Sequence, residues 1–216
     1  YVIIMRQLLL YIKKAIIFLG LILLVGSANH ETHVTSVNDH SGPVIGNHCV
    51  YLEELDTFII SIKNRPSVIV SSDKCNLLKS RDIALVIDVF HKRYKDKFGD
   101  DGRLLRALQD MAIHLSSKPK KVKNLYSNSG KPVDESYVNG LFFVPNHVWL
   151  HVVPGSSVED TALVHELVHY ALHVTLGQAD PDHEGDVYKA WTKEHTKFLS
   201  TTNYEIRELM SKKRPI

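Results

Sequence analysis

Cysteine is scarce in this chain of 216 residues, and Cys49 and Cys75 are the only two. Two thiols exclude a disulfide-dense scaffold and any zinc site built on four cysteines. A long apolar run is missing as well. The longest candidate, Ala15–Gly26 (AIIFLGLILLVG), spans 12 residues, whereas a membrane-spanning helix needs about 20. Glycine (11) and proline (8) are too few for a collagenous or low-complexity chain. Neither sign of charge dominates. The formal net charge is +2, but Arg6, Lys13 and Lys14 stand in the first 28 residues with no acid beside them. The rest of the chain carries 23 cations against 24 acids. A near-neutral body has no electrostatic footprint for nucleic acid.

The first 28 residues read as an address. Cations precede the apolar run, and small residues (Gly26-Ser27-Ala28) follow it. That order is the pattern of a secretory signal peptide cut after Ala28, with Met5 as the start. An uncleaved anchor is the alternative, although Lys13-Lys14 interrupts the longer stretch it would need. The expectation is an extracytoplasmic protein with no stable membrane insertion after cleavage. In an oxidising compartment Cys49 and Cys75 can close one disulfide; two unpaired thiols are the alternative. Residues 29–48 are polar, aperiodic and broken by Gly and Pro, as in a flexible leader. Its histidines, His30, His33, His40 and His48, read as solvated.

Residues 49–216 read as one α+β domain. Val50–Ile62 and Ser67–Ser71 are rich in β-branched residues and suit strands, with helix open for the first. Asp82–Phe98 places Ile83, Val86, Ile87, Phe90, Tyr94 and Phe98 at three- and four-residue steps, which predicts an amphipathic helix stopped by Gly99. A second short helix is predicted over Leu104–Ala112. Lys118–Leu125 reads as a basic, solvated strand edge. Leu141–Val144 and His147–Val153 flank Pro145-Asn146 as a β-hairpin. Its second strand sets His147, Trp149 and His151 on one face.

The next segment carries chemistry. Ser156 and Glu159 fit a capping box, and no Pro or Gly interrupts Val158–Leu176 before Gly177. The helix so predicted is apolar over most of its circumference and belongs in a core. It nevertheless contains His165, Glu166, His169 and His173. Burying such groups costs several kcal/mol unless they have partners, roughly 2–7 for each neutral polar group. A metal ion is one efficient partner. His165-Glu166-Leu167-Val168-His169 is an HExxH sequence. Its histidines stand four apart on one face, about 5–6 Å apart at Cβ, which suits two ligands of a tetrahedral zinc. Glu166 points about 100° away around the helix. It can therefore serve as a general base toward a water on the metal.

Ala162–Ala171 (ALVHELVHYA) resembles the active-site helix of the zincin metalloproteases. The resemblance covers roughly residues 140–185. It implies one zinc ion on His165 and His169, catalysis by Glu166, and a sheet edge beside the helix that pairs with an extended peptide substrate. The third ligand has to come from elsewhere. Metzincins place a histidine six residues after the second motif histidine, and Thr175 stands there, so the chain is not a metzincin. Thermolysin-like enzymes use a later glutamate, which keeps Glu184 and Glu194 in view. His173 lies on the same straight helix and cannot wrap round the same ion comfortably. His183 follows a turn made by Gly177–Asp186 (GQADPDHEGD) and resembles the third ligand of zincins with a D-x-D-H type segment. It is the choice here, with Glu184 as the alternative and Asp180 or Asp182 as orienting groups. Peptide deformylases also use HExxH, but the surroundings of Cys75 do not match theirs.

Asp186–Met210 reads as one long helix or two. It supplies Tyr188 and His195 as candidate stabilisers of an oxyanion. Together these features predict a secreted α+β domain with a mixed β-sheet and a zincin-like HExxH helix, acting as a zinc-dependent peptidase on peptide or protein substrates. The alternative is a non-catalytic, secreted zinc-binding or interaction protein on the same scaffold.

Overall fold

Eight strands form in chain order: β1 (Cys49–Leu52), β2 (Thr57–Ile60), β3 (Ile69–Ser72), β4 (Ala112–Ser116), β5 (Lys120–Tyr126), β6 (Pro132–Val138), β7 (Gly140–Phe143) and β8 (His147–His151). They belong to a computed structural model that describes residues 49–126 and 132–213. The expected signal peptide (1–28) and leader (29–48) lie outside the described residues. Six strands make a mixed sheet in the order β1-β2-β3-β4-β8-β7, and β5 and β6 form a separate antiparallel ribbon. The two central pairings, β3 with β4 and β4 with β8, are parallel. The outer pairings are antiparallel. The fold is α+β, as the sequence predicts, and its hairpins give the antiparallel edges.

One face of the sheet is the core face. Alternate residues Ile60, Val70, Ile113, Leu115, Val148 and Leu150 are buried in one continuous cluster with residues of the helices. Those helices are α1 (Ser80–Phe98), α2 (Arg103–Gln109), α3 (Leu163–Leu176) and α4 (Lys193–Lys213). The amphipathic pattern of α1 holds: Ile83, Val86, Ile87, Phe90 and Tyr94 are buried. Helix α3 is the most enclosed, with Leu163, Val164, Leu167, Val168, Tyr170, Ala171 and Leu172 all buried. Arg93 ties α1 to α4 through hydrogen bonds to Thr201 (2.9 Å) and Thr202 (3.1 Å) and an ion pair with Glu205. On the opposite face of the sheet stand Ser71, His114, His147, Trp149 and His151, each half-buried. Among the described residues no helix is long and apolar enough to cross a membrane.

Several boundaries differ from the sequence expectation. The predicted helix over Val158–Leu176 splits. Val158–Asp160 is a 3-10 turn, and α3 starts only at Leu163. Ser157 and Ala162 stand at the two helix starts, and neither makes a side-chain cap bond. Thr161 punctuates instead: its hydroxyl donates to the Val158 carbonyl and accepts the Leu163 N–H. The predicted helix over Leu104–Ala112 ends at Gln109, because Ala112 pairs with both β3 and β8 as the first residue of β4. The segment before α4 is not helical up to Thr192: the chain there is tied to buried aspartates. The hairpin of β7 and β8 forms as predicted. Cys49 and Cys75 are joined in a disulfide that links β1 to the loop before α1.

Candidate metal centre

Helix α3 presents His165 and His169 one turn apart on one face, as their four-residue spacing requires. Gly177 then ends the helix in the left-handed conformation (φ 73°), its N–H donating to the His173 carbonyl. This αL stop reverses the chain and lets the next ten residues fold back over the helix. Within that return Asp180 and His183 both take left-handed φ values, 50° and 53°. Aspartate and histidine tolerate this region better than most side chains.

The return brings His183 onto the helix pair. Its Nε2 lies 3.1 Å from His165 Nε2 and 3.2 Å from His169 Nε2, and the last two are 3.1 Å apart. Three ligands at about 2.0–2.1 Å from one tetrahedral ion stand about 3.3 Å from one another. A proton on one of these nitrogens can point at only one neighbour. A cation at the centre satisfies all three. The three histidines can therefore hold a metal ion, and among the described residues they are the one group of His, Cys, Asp and Glu drawn together in this way.

The protonation states agree with ligand duty. His169 donates its Nδ1–H to the Ala179 carbonyl at 2.6 Å. That bond fixes the tautomer and turns the Nε2 lone pair toward the cluster. Burial, reinforced by repulsion from His183, lowers the pKa of His165 to about 4. Burial with His165 nearby takes His169 down to about 3. Burial also lowers His183, against the pull of Asp182 and Glu184. All three rings are neutral at pH 7, and no proton has to leave before a metal binds.

Glu166 lies around the helix from the two ligands and is 4% exposed. Burial pushes its pKa up to about 8, opposed by a hydrogen bond from the Phe142 N–H. Phe142 belongs to β7, the edge strand of the sheet. The His151 N–H donates to the Asn139 carbonyl, so Leu141 and Phe143 turn their backbone groups toward β8. Gly140 and Phe142 turn theirs to the free edge. The helix approaches this edge closely because Gly140 has no side chain. A Cβ there would lie 2.4 Å from Glu166 Oε1 and 2.8 Å from Ala162 Cβ.

The remaining candidates fall into different places. Glu184 is exposed and accepts a hydrogen bond from Thr196 at 2.5 Å, outside the three-histidine group. His195 is buried. It stacks on Phe98 (centroids 4.2 Å apart) and accepts the Thr192 N–H at the start of α4. Tyr188 is half-buried, and its N–H donates to Asp182. Asp180 and Asp182 do not orient His183. Asp182 accepts the Val187 and Tyr188 N–H groups, and Asp180 accepts the Trp191 N–H. They brace the ligand loop through its backbone, and His183 Nδ1 is buried with no hydrogen-bond partner. The sequence places Trp191 on a core face, where it is buried, but gives no sign that its ring packs against all three histidines. An apolar aromatic in a core-like segment gives no signal of its own. Sequence reading also missed Gly140, which only the strand–helix approach makes significant.

Comparison with family models, curated proteins and solved structures finds no match to this chain.

Proposed function

We propose that this protein is a secreted, zinc-dependent metallopeptidase. The observation that carries the reading is the convergence of His165, His169 and His183 Nε2, all within 3.2 Å of one another, on a helix that also holds the buried carboxyl of Glu166. Three nitrogen ligands, with no fourth among the described residues, match the donor set of an open, catalytic zinc site, whereas a structural site is closed by four. When bound, zinc supplies Lewis acidity to a carbonyl or a water. Burial alone would keep Glu166 protonated at pH 7. The positive charge of a bound ion would draw its pKa down, and the carboxylate would then take a proton from the attacking water and deliver it to the departing amine as the C–N bond breaks. Its enclosure against β7 excludes bulk water from that proton path. Beyond the Phe142 N–H, which Glu166 already holds, the edge strand β7 would offer its outward carbonyls to an extended peptide. Secretion rests on the charged, short-apolar, small-residue order of residues 1–28.

The test pairs metal analysis with hydrolysis. Glu166→Gln is expected to retain zinc while losing hydrolysis of a quenched-peptide library by about 10²- to 10⁴-fold, the usual span for a lost general base. Retained hydrolysis in this variant would sink the peptidase assignment. One zinc in the parent with no hydrolysis across the library would favour the non-catalytic binding protein.

A further inference from the structure

Metal-binding histidines usually take their ring orientation from a hydrogen bond on the nitrogen remote from the metal. Only His169 has this support in a form the structure specifies, through the Ala179 carbonyl. His183 Nδ1 is buried and unpartnered. His165 is half-buried and meets the other two rings.

What the three imidazoles share is Trp191. Its ring centroid lies 5.3 Å from that of His165, 4.8 Å from His169 and 4.6 Å from His183. The contact with His183 is perpendicular, at 86°. Edge-to-face contacts of this kind are directional as well as apolar. The indole is 3% exposed and anchored at both ends. Its ring N–H donates to Thr196 Oγ1 at 3.0 Å, and its backbone N–H donates to buried Asp180 at 2.5 Å. Asp180 directly follows Ala179, whose carbonyl takes the His169 N–H. One short stretch of the return loop thus fixes both His169 and the indole.

We infer that Trp191 is a positioning residue of the metal centre: its anchored indole holds the three imidazoles in their convergent arrangement, in place of a hydrogen-bonded partner for His183. The inference rests on metal binding by the three histidines and does not depend on peptide hydrolysis.

The probe is Co²⁺, added to the full metal-free chain in competition with a chromogenic chelator. His169→Ala serves as the blank for Co²⁺ held elsewhere among the 13 histidines. Trp191→Leu keeps an apolar core residue and removes the ring. It is expected to weaken Co²⁺ binding by about 10- to 100-fold, the range found for groups that orient metal ligands. The visible Co²⁺ bands should change shape with it. Trp191→Phe keeps a ring and should lose less. A merely structural indole predicts a different pattern: a lower thermal midpoint of the metal-free protein with unchanged Co²⁺ affinity and unchanged bands. That pattern overturns the inference. If Trp191→Leu does not fold, Trp149→Phe decides, because it leaves Trp191 as the only indole. Co²⁺ should quench its emission in proportion to site occupancy, and unquenched emission overturns the inference. A parent that binds no more Co²⁺ than His169→Ala removes the metal centre and the inference together. Unchanged affinity in Trp191→Leu removes the inference alone.

Discussion

Two clusters of histidines form among the described residues, and their geometries are opposite. In the helix-and-loop cluster the Nε2 atoms of His165, His169 and His183 form a triangle with sides of 3.1, 3.1 and 3.2 Å. In the sheet, His114 Nε2 faces His147 Nδ1 at 2.9 Å, with ring planes 4° apart and centroids 5.2 Å apart. That separation is what two rings joined end to end through those nitrogens give. The sheet pair is collinear, so a single shared proton satisfies it. Ser71 Oγ, 2.7 Å from His114 Nδ1, extends the line. No tetrahedral ion fits, because its ligands must aim at one point and these two aim at each other. The triangle has a common point and lacks a proton arrangement that serves all three nitrogens. Proximity of histidines therefore does not make a metal site. The direction in which their lone pairs meet does.

The largest effect expected from this contrast is in metal content. His169→Ala removes a ligand and should leave the purified, zinc-reconstituted protein with little bound zinc by elemental mass spectrometry. His114→Ala removes half of the sheet pair and should leave about the parental amount. Comparable zinc in both variants would erase the distinction between the clusters.

Acid stability sharpens the contrast next. Burial, with repulsion from His147 and Lys120, lowers the pKa of His114 from 6.5 to about 4. The unfolded chain therefore takes up a proton here between pH 6.5 and 4 that the folded chain refuses. Stability falls as the pH drops through that window and levels off below about 4, for a loss of roughly 3 kcal/mol at most. His165 and His169 act with the same sign in metal-free protein, where their pKa values are about 4 and 3. A bound metal ion would add its own loss on acidification, because protons would displace it. Urea unfolding of chelator-treated protein at pH 7 and pH 4.5 should therefore show a smaller acid penalty in His114→Asn than in the parent. Equal penalties would mean that the sheet pair does not refuse the proton.

Much of the three-histidine group was legible in the sequence, and the reason is local. His165, Glu166 and His169 share one helix, so the period of the helix alone fixes their relative directions. His183 was within reach of the same reasoning because Gly177 and Pro181 mark a reversal a few residues before it. The sheet cluster was not legible. Ser71, His114 and His147 come from three strands, and only the parallel pairing of β3, β4 and β8 sets Ser71 opposite His114 and puts His147, opposite Ala112, one same-face step away. Nothing in 43 or 33 residues of separation encodes that meeting locally. The split of the predicted Val158–Leu176 helix has a similar origin. A capping pattern states where a helix can start, and the Thr161 hydroxyl bonds decide where α3 does start.

Gly140 tests the carboxylate side of helix α3. In Gly140→Ala the new methyl meets Glu166 Oε1 at 2.4 Å and Glu166 Cγ at 2.8 Å. The edge strand or the carboxylate must give way, at a cost of about 1–3 kcal/mol for an overpacked contact. The ligand rings lie around the helix from Glu166, so zinc content should stay near the parental value while the urea midpoint falls. Loss of zinc with the same substitution would mean that the edge strand also governs the ligands.

Ser71→Ala asks the smallest question of the sheet pair. The Ser71 hydroxyl and His114 Nδ1 make one half-buried hydrogen bond, worth about 1 kcal/mol. Its larger consequence is for the position of protons. Two directions of donation are consistent along the line. Either Ser71 donates to His114 Nδ1 and His114 Nε2–H donates to His147, or His147 Nδ1–H donates to His114 Nε2 and His114 Nδ1–H donates to Ser71. Each direction commits His114 to one tautomer. The hydroxyl, which can donate or accept, supports both; without it an Nδ1–H would be left without its acceptor, which favours the Nε2–H tautomer. Nitrogen-15 NMR of the imidazole rings should therefore show His114 shifted toward the Nε2–H tautomer in Ser71→Ala, with zinc content unchanged. An unchanged tautomer balance would assign the choice to His147 alone. A fall in zinc content would show that the two clusters, opposite in geometry, are nevertheless coupled through the sheet.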